Sequence, residues 1–346
     1  MGRTVLVTGA ARQLSGRFVR HLTRDPAVDR VIGVDSRAPE ETPPDGAEFV
    51  RADIRQPDIA AVLAERAVDT VVHLDVHATP PGGSGAGRAS VKEVNVLGTL
   101  QLLGACQRVP TLRRVVIKSS TQIYGTAARD PAVLSETDLP KSPPGGGFPQ
   151  DVAEIEGYAR GFARRRPDVH VTVLRLAPVL GPAVDSRLAA YFGLPVLPVV
   201  LGFDPRLQFV HEEDVLEVLA RAVRAPGPGA VGPGTFNVAG DGVLFLSQAA
   251  RRLGRPTVPV AGPLAPWLGS ALGALGVPGV SAEQLKSLVH GRVVRTAALR
   301  EAMGGPLAYS TPETFASFVA ARGRGLLGPE LIARAADRIE EVLRRG

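Results

Sequence analysis

The stretch Thr4-Val5-Leu6-Val7-Thr8-Gly9-Ala10-Ala11-Arg12-Gln13-Leu14-Ser15-Gly16 decides the fold. Its first half is a short apolar run, the pattern of a strand buried on both faces. Its second half is a turn of small residues that opens a helix, with Leu14, Phe18, Val19 and Leu22 apolar at helical spacing. A strand entering a helix through such a turn gathers the unpaired amides of the helix N-terminus around one point, where they and the helix dipole favour an anion such as a pyrophosphate. Gly9, Arg12, Ser15 and Gly16 are the residues this turn sets around it. With only two glycines, the turn needs support from the rest of the chain.

That support comes from alternation. Arg30–Val34, Glu48–Arg51, Asp69–Leu74, Arg113–Lys118 and His170–Leu176 read as further short strands, interleaved with helical patterns at 89–107 and 151–165. The expected class is α/β, a doubly wound parallel sheet of Rossmann type with its ligand crevice at the carboxyl ends of the strands. Asp35 ends the second strand, where a carboxylate accepts both ribose hydroxyls of an adenosine and favours NAD over NADP. Asp53-Ile54 come after the third strand, placed to meet the adenine. Arg12, with Arg37 nearby, leaves NADP open, because a guanidinium accepts a 2′-phosphate.

After Arg175 prolines and glycines multiply. The expected division is a dinucleotide domain over 1–177, to which a helix at 212–224 and a strand at 235–239 return. A smaller mixed substrate-side domain would cover 178–210 and 240–325, and an amphipathic C-terminal helix 326–346. The stretch from Pro256 to Ala282 carries no charge, but its prolines and glycines make it a poor spanning helix; it is read as covering a pocket, with contact to a membrane surface or a lipid-like substrate as the second reading.

Composition narrows the classes further. The chain has 346 residues, 45% hydrophobic and 21% charged, with one cysteine, Cys106, which excludes an internal disulfide framework. Of its 40 basic residues only four are lysines, Lys92, Lys118, Lys141 and Lys286. The net charge of +6 is spread along the chain and aromatics make up 5%, so no nucleic-acid surface is expected. His211-Glu212-Glu213-Asp214 has metal-ligand composition but reads as a helix start, and no metal is expected. No signal peptide follows Met1, so a cytoplasmic location is expected.

In sequence order, Thr8-Gly9, Asp35, Asp53-Ile54, Asp69 to Leu74, Asn95-Val-Leu-Gly98-Thr99, Ser119-Ser120 to Tyr124-Gly125, Leu174 to Gly181-Pro182 and Phe209 to Val215 resemble the extended short-chain dehydrogenases/reductases, the NAD-dependent epimerase/dehydratase family that includes UDP-galactose 4-epimerase. The resemblance covers nearly the whole chain and implies bound NAD, with Leu74 and Asn95 joining the cofactor residues. It also implies a nucleotide-linked sugar or a related hydroxylated substrate. A homodimer through the helices at 89–107 and 151–165 is implied as well. Arginines in comparable family segments hold a diphosphate, a role that would fall to Arg187 and Arg206.

The family's chemistry rests on a tyrosine and, four residues on, a lysine that lowers the tyrosine's pKa. The four tyrosines here, Tyr124, Tyr158, Tyr191 and Tyr309, are followed at that distance by Ala128, Phe162, Pro195 and Glu313, so no such pair exists. Aligned on Glu156, the two positions hold Phe148 and Val152. Ser120 still matches the family serine. Asp151, three residues after Phe148, and Asp75 and His77, after the fourth strand, are the replacement acid/base candidates; Lys118 is the one lysine expected near the crevice. Two functions stay open: an NAD-dependent enzyme with non-standard acid/base residues, or a non-catalytic dinucleotide-binding sensor or assembly partner.

Overall fold

In a computed structural model, the structure describes residues 2–39, 41–78, 88–125, 130–138, 147–261 and 291–322. The opening run forms β1 (Arg3–Thr8), with Val5, Leu6 and Val7 fully buried, and passes through the glycine turn into α1 (Gln13–Leu22). Next come β2 (Val28–Asp35), β3 (Ala47–Arg51), α2 (Ile59–Glu65) and β4 (Thr70–His73). The helix read over 89–107 is interrupted: α3 (Arg88–Lys92) runs into a π-helical segment (Glu93–Gly98) and then α4 (Thr99–Cys106). Single π turns inside helices recur at functional sites, and this one carries Asn95.

The second half of the sheet is built from β5 (Arg114–Ser120), α5 (Gly147–Arg165) and β6 (His170–Leu176). Among the described residues the parallel sheet has seven strands. β1 lies in its middle, between β2 and β4, so strand order reverses there and the carboxyl ends of β1 and β4 frame the switch-point crevice. One edge is β3; the other is a strand from far along the chain, Gly234–Val238, paired parallel to β6. The fold is Rossmann-like α/β, doubly wound.

Beyond β6 come β7 (Val179–Leu180), α6 (Arg187–Gly193), β8 (Leu197–Val200), β9 (Arg206–Leu207), β10 (Val210–His211), α7 (Glu212–Val223) and β11, the edge strand Gly234–Val238. The chain continues through β12 (Leu244–Phe245), α8 (Leu246–Leu253), β13 (Thr257–Val260), α9 (Ala297–Met303) and α10 (Thr311–Arg322). A second apolar core gathers here, separate from that of the sheet. Tyr191, Phe192, Phe209, Phe315 and Phe318 are its fully buried rings, and α10 closes it. The helix read at 326–346 and most of the stretch 256–282 lie outside the described residues. Among the described residues no helix is long and apolar enough to cross a membrane.

Candidate active site

The glycine turn keeps its shape because Gly9 sits at φ +73°, a conformation that favours glycine. A Cβ at Gly16 would stand 3.2 Å from the Ala10 carbonyl, so its absence lets α1 approach the turn. Arg12 caps α1 in extended geometry with no side-chain capping bond, and the first turn holds no acidic residue. The helix's first amides are therefore left to an outside acceptor. At the end of β2, the buried Asp35 carboxylate accepts the Ala11 and Arg37 amides at 3.1 and 3.0 Å. Burial raises its pKa, and those two hydrogen bonds work against the shift. A carboxylate offers about four acceptor directions, so two remain for ribose hydroxyls. Turn, helix end and Asp35 together suit the adenosine and phosphate end of a dinucleotide.

A cleft of about 1050 Å³ runs from this turn across the strand ends to the second core. Arg12, Ser15, Gly16, His77, Lys118, Ser120 and Phe148 line it, so the turn, the end of β5 and the start of α5 share one wall. Ser120 accepts the Gln122 amide at 3.2 Å, which leaves its hydroxyl hydrogen for the cleft. Arg187, Arg206 and Arg292 also line it. Gly291 packs against the Arg206 backbone: at φ +61°, a Cβ there would fall 2.7 Å from the Arg206 amide nitrogen. Arg292 donates to the Gly125 carbonyl at 2.9 Å, and burial lowers its pKa to about 10, with Asp130 opposing. Sequence reading missed Arg292, which no motif flags in a chain this rich in arginine.

Charge is concentrated at the switch point. Arg12 turns its guanidinium onto Asp75, Nε to Oδ1 at 3.2 Å, and His77 Nε2 approaches the same oxygen at 2.6 Å. Burial drives His77 down to about 3, so the neutral ring donates its N–H. Burial also opposes the Asp75 charge, but the His77 hydrogen bond and the Arg12 cation outweigh it and hold the carboxyl well below its usual range. As a replacement base Asp75 is thus a poor proton acceptor near neutral pH. Its place is against the turn, since a Cβ at Gly9 would lie 3.2 Å from the Asp75 carboxylate.

Asp151 differs from the expectation of a helix face shared with Phe148. It is buried, and its Oδ2 accepts the Asn95 side-chain amide at 2.9 Å, outside the cleft wall. Asn95 in turn brackets His77, accepting its amide at 2.9 Å and donating to its carbonyl at 2.7 Å. One helical turn separates the two roles on α5: Phe148 looks into the cleft, and Asp151 braces the segment after β4. Val152 is fully buried in the core of the sheet.

The remaining candidate residues take part in packing and structural hydrogen bonds. Leu74 is buried, and its carbonyl accepts Lys118 Nζ at 3.4 Å. Ile54 is buried against Gly98, where a Cβ would sit 2.8 Å from its Cδ1. Asp53 pairs with Arg55 at 2.6 Å. Tyr124 is spent in a buried network: it donates to Asn237 at 2.8 Å and accepts from Arg175 at 2.7 Å. Arg175 also holds Glu156 through Nε and Nη2, at 2.9 and 2.7 Å, and Ser119 donates to the same carboxylate. Cys106 is buried, which pushes its thiol up to about 12 and leaves it inert. His211 caps α7 and stacks on Tyr309, while Asp214 accepts the Ala308 and Tyr309 amides. Among the described residues no group of three or more such side chains is placed to hold a metal.

Known proteins share much of this sequence and shape. The chain is 44% identical over 328 residues to the Mycobacterium tuberculosis (strain H37Rv) protein named Uncharacterized protein Rv0501, covering 94% of this chain and 85% of that one. It is 27% identical over 236 residues to human short-chain dehydrogenase/reductase family 42E member 1, covering 64% and 59%. Among solved structures, MoeE5 in complex with UDP-glucuronic acid and NAD superposes with a TM-score of 0.69 at 23% identity, over 93% of this chain and all of the other. UDP-glucose 4-epimerase from Thermotoga maritima does so with 0.68 at 18%, over 92% and 98%. The model of the NAD dependent epimerase/dehydratase family matches residues 5–239, which spans the glycine turn, both halves of the sheet and Ser120, and the chain belongs to that family.

Proposed function

We propose that the protein binds NAD at the switch point and acts on a nucleotide-linked sugar or related hydroxylated substrate held in the same cleft. The observation that carries this reading is the cleft itself, whose lining holds the phosphate turn, Ser120 and three arginines together. Asp35 would hold the adenosine ribose, and the amides of the Gly9–Gly16 turn would hold the phosphates, with Arg12 alongside. Bound there, NAD would supply a hydride acceptor and donor. Arg187, Arg206 and Arg292 suit a diphosphate, since guanidinium groups bind phosphate oxygens in pairs. Relatives in structure support the substrate class, because MoeE5 was solved with UDP-glucuronic acid and the Thermotoga epimerase with UDP-glucose.

Within this reading Ser120 donates to a substrate hydroxyl, Phe148 packs against the reacting region without exchanging protons, and Asp151 acts through Asn95 on the segment carrying Asp75 and His77. Leu97 and Leu100, 53% and 46% exposed on the helix formed by α3, the π segment and α4, support a homodimer through that helix. The test is calorimetric titration with NAD, and then absorbance of the reduced nicotinamide on adding UDP- and dTDP-sugars. Bound NAD and a sugar-dependent absorbance change support an enzyme. Bound NAD that no sugar reduces would favour the non-catalytic sensor. No binding would sink both.

A further inference from the structure

One amine in the cleft stands apart from the roles assigned above. Lys118 leaves β5 two residues before Ser120, and residues two apart on a strand point to the same face, with Cα atoms roughly 6.6 Å apart. Both line the cleft. Its Nζ makes a single hydrogen bond among the described residues, a long one of 3.4 Å to the Leu74 carbonyl. An ammonium carries three donors, so two are left toward the cleft. The neighbours facing it are Arg12 from the start of α1, His73 on β4, and Asp75 and His77 just after β4. Asp75, the anion among them, is already shared between Arg12 and His77. Among the described residues, Lys118 is therefore a half-buried cation without an anion of its own.

We propose that Lys118 is the proton-carrying residue of this site and supplies, from β5, the amine that α5 lacks. This rests on the proposed NAD-linked reaction. The neutral amine takes the proton of the hydroxyl to which Ser120 donates. The O–H bond breaks and an N–H bond forms. The freed pair becomes the second bond of a carbonyl as the carbon's hydrogen leaves as hydride to the nicotinamide ring. In the reverse direction the ammonium returns the proton to the same oxygen. Burial, helped by the Arg12 charge and resisted by Asp75, lowers the amine to about 8, so both protonation states are populated near neutral pH.

With four lysines in the chain, the test has few signals to separate. The full-length protein is reductively methylated with ¹³C-formaldehyde, and the dimethyl-lysine resonances are followed by NMR from pH 6 to 11. The Lys118 signal is assigned by its loss in Lys118→Arg and by mass spectrometry of the labelled peptide. The expected result is a Lys118 midpoint near 8, well below the ordinary lysine value of about 10.4. Saturating NAD, with binding measured separately by calorimetry, should move the Lys118 signal. A Lys118 midpoint at the ordinary lysine value overturns the proposal, and so does NAD that binds but leaves the signal unmoved. Absence of any binding heat overturns the proposed function first, and the proton role with it.

Discussion

Replacing Asp75 by asparagine should tighten dinucleotide binding. The carboxylate stands against the phosphate turn, 3.2 Å from where a Gly9 Cβ would be, and takes up Arg12, the turn's own cation, at 3.2 Å. A phosphate over the turn would lie roughly 5 Å from it, which at an effective dielectric of about 20 is a repulsion of about 3 kcal/mol. Arg12 already offsets part of this, and salt screens more. A net gain of about 1.4–2.8 kcal/mol remains, or roughly tenfold to a hundredfold in affinity. Asparagine keeps the size of the side chain and an oxygen for Arg12 and His77. The assay is calorimetric titration of NAD into both proteins at low and high salt. Arg12→Gln is added to complete a double-mutant cycle, in which contacting partners should couple by about 0.5–3 kcal/mol. Equal or weaker binding by the Asp75→Asn protein would refute the electrostatic account. A gain that ignores salt would refute it too.

Glu156→Gln breaks a buried ion pair that also receives Ser119, and should cost about 3–5 kcal/mol of stability, read from denaturant unfolding. Lys118→Met should stabilise the protein at pH 7 by about 1–2 kcal/mol, because it removes an ammonium from a half-buried position. The sign comes from the folded pKa of about 8, below the usual 10.5. Between those values the unfolded chain binds more protons than the folded one, so wild-type stability rises with pH and the variant's advantage should fade by pH 10.5 in thermal melts. Arg292→Ala should weaken UDP binding tenfold or more, as expected for loss of a charge-assisted contact, while leaving NAD affinity within twofold by calorimetry. Asp151→Ala should lower stability by about 1–3 kcal/mol through the released Asn95 amide; thermal melts that match the wild type would show that Asp151 does not brace that segment.

The local parts of this fold could be read along the chain because each rests on a short-range cause. The apolar runs of β1, β4 and β5, the glycine turn, Asp35 at the end of β2 and the missing tyrosine-lysine pair are all set by neighbours in sequence. Asp151 shows where that reasoning stops. Spacing along α5 places it near Phe148, but only packing of α5 against the π segment decides that its carboxylate meets Asn95 instead of the cleft. The same holds for Arg292, whose neighbour Gly291 packs against the Arg206 backbone, and for Asp75, whose character changes once Arg12 and His77 converge on it. Sequence alone determined the family, the crevice and the absence of any tyrosine followed four residues on by a lysine, since those depend on residue type and order. Tertiary structure decided which charged groups share the crevice, because burial and distance between residues remote in sequence fix both a side chain's partners and its protonation.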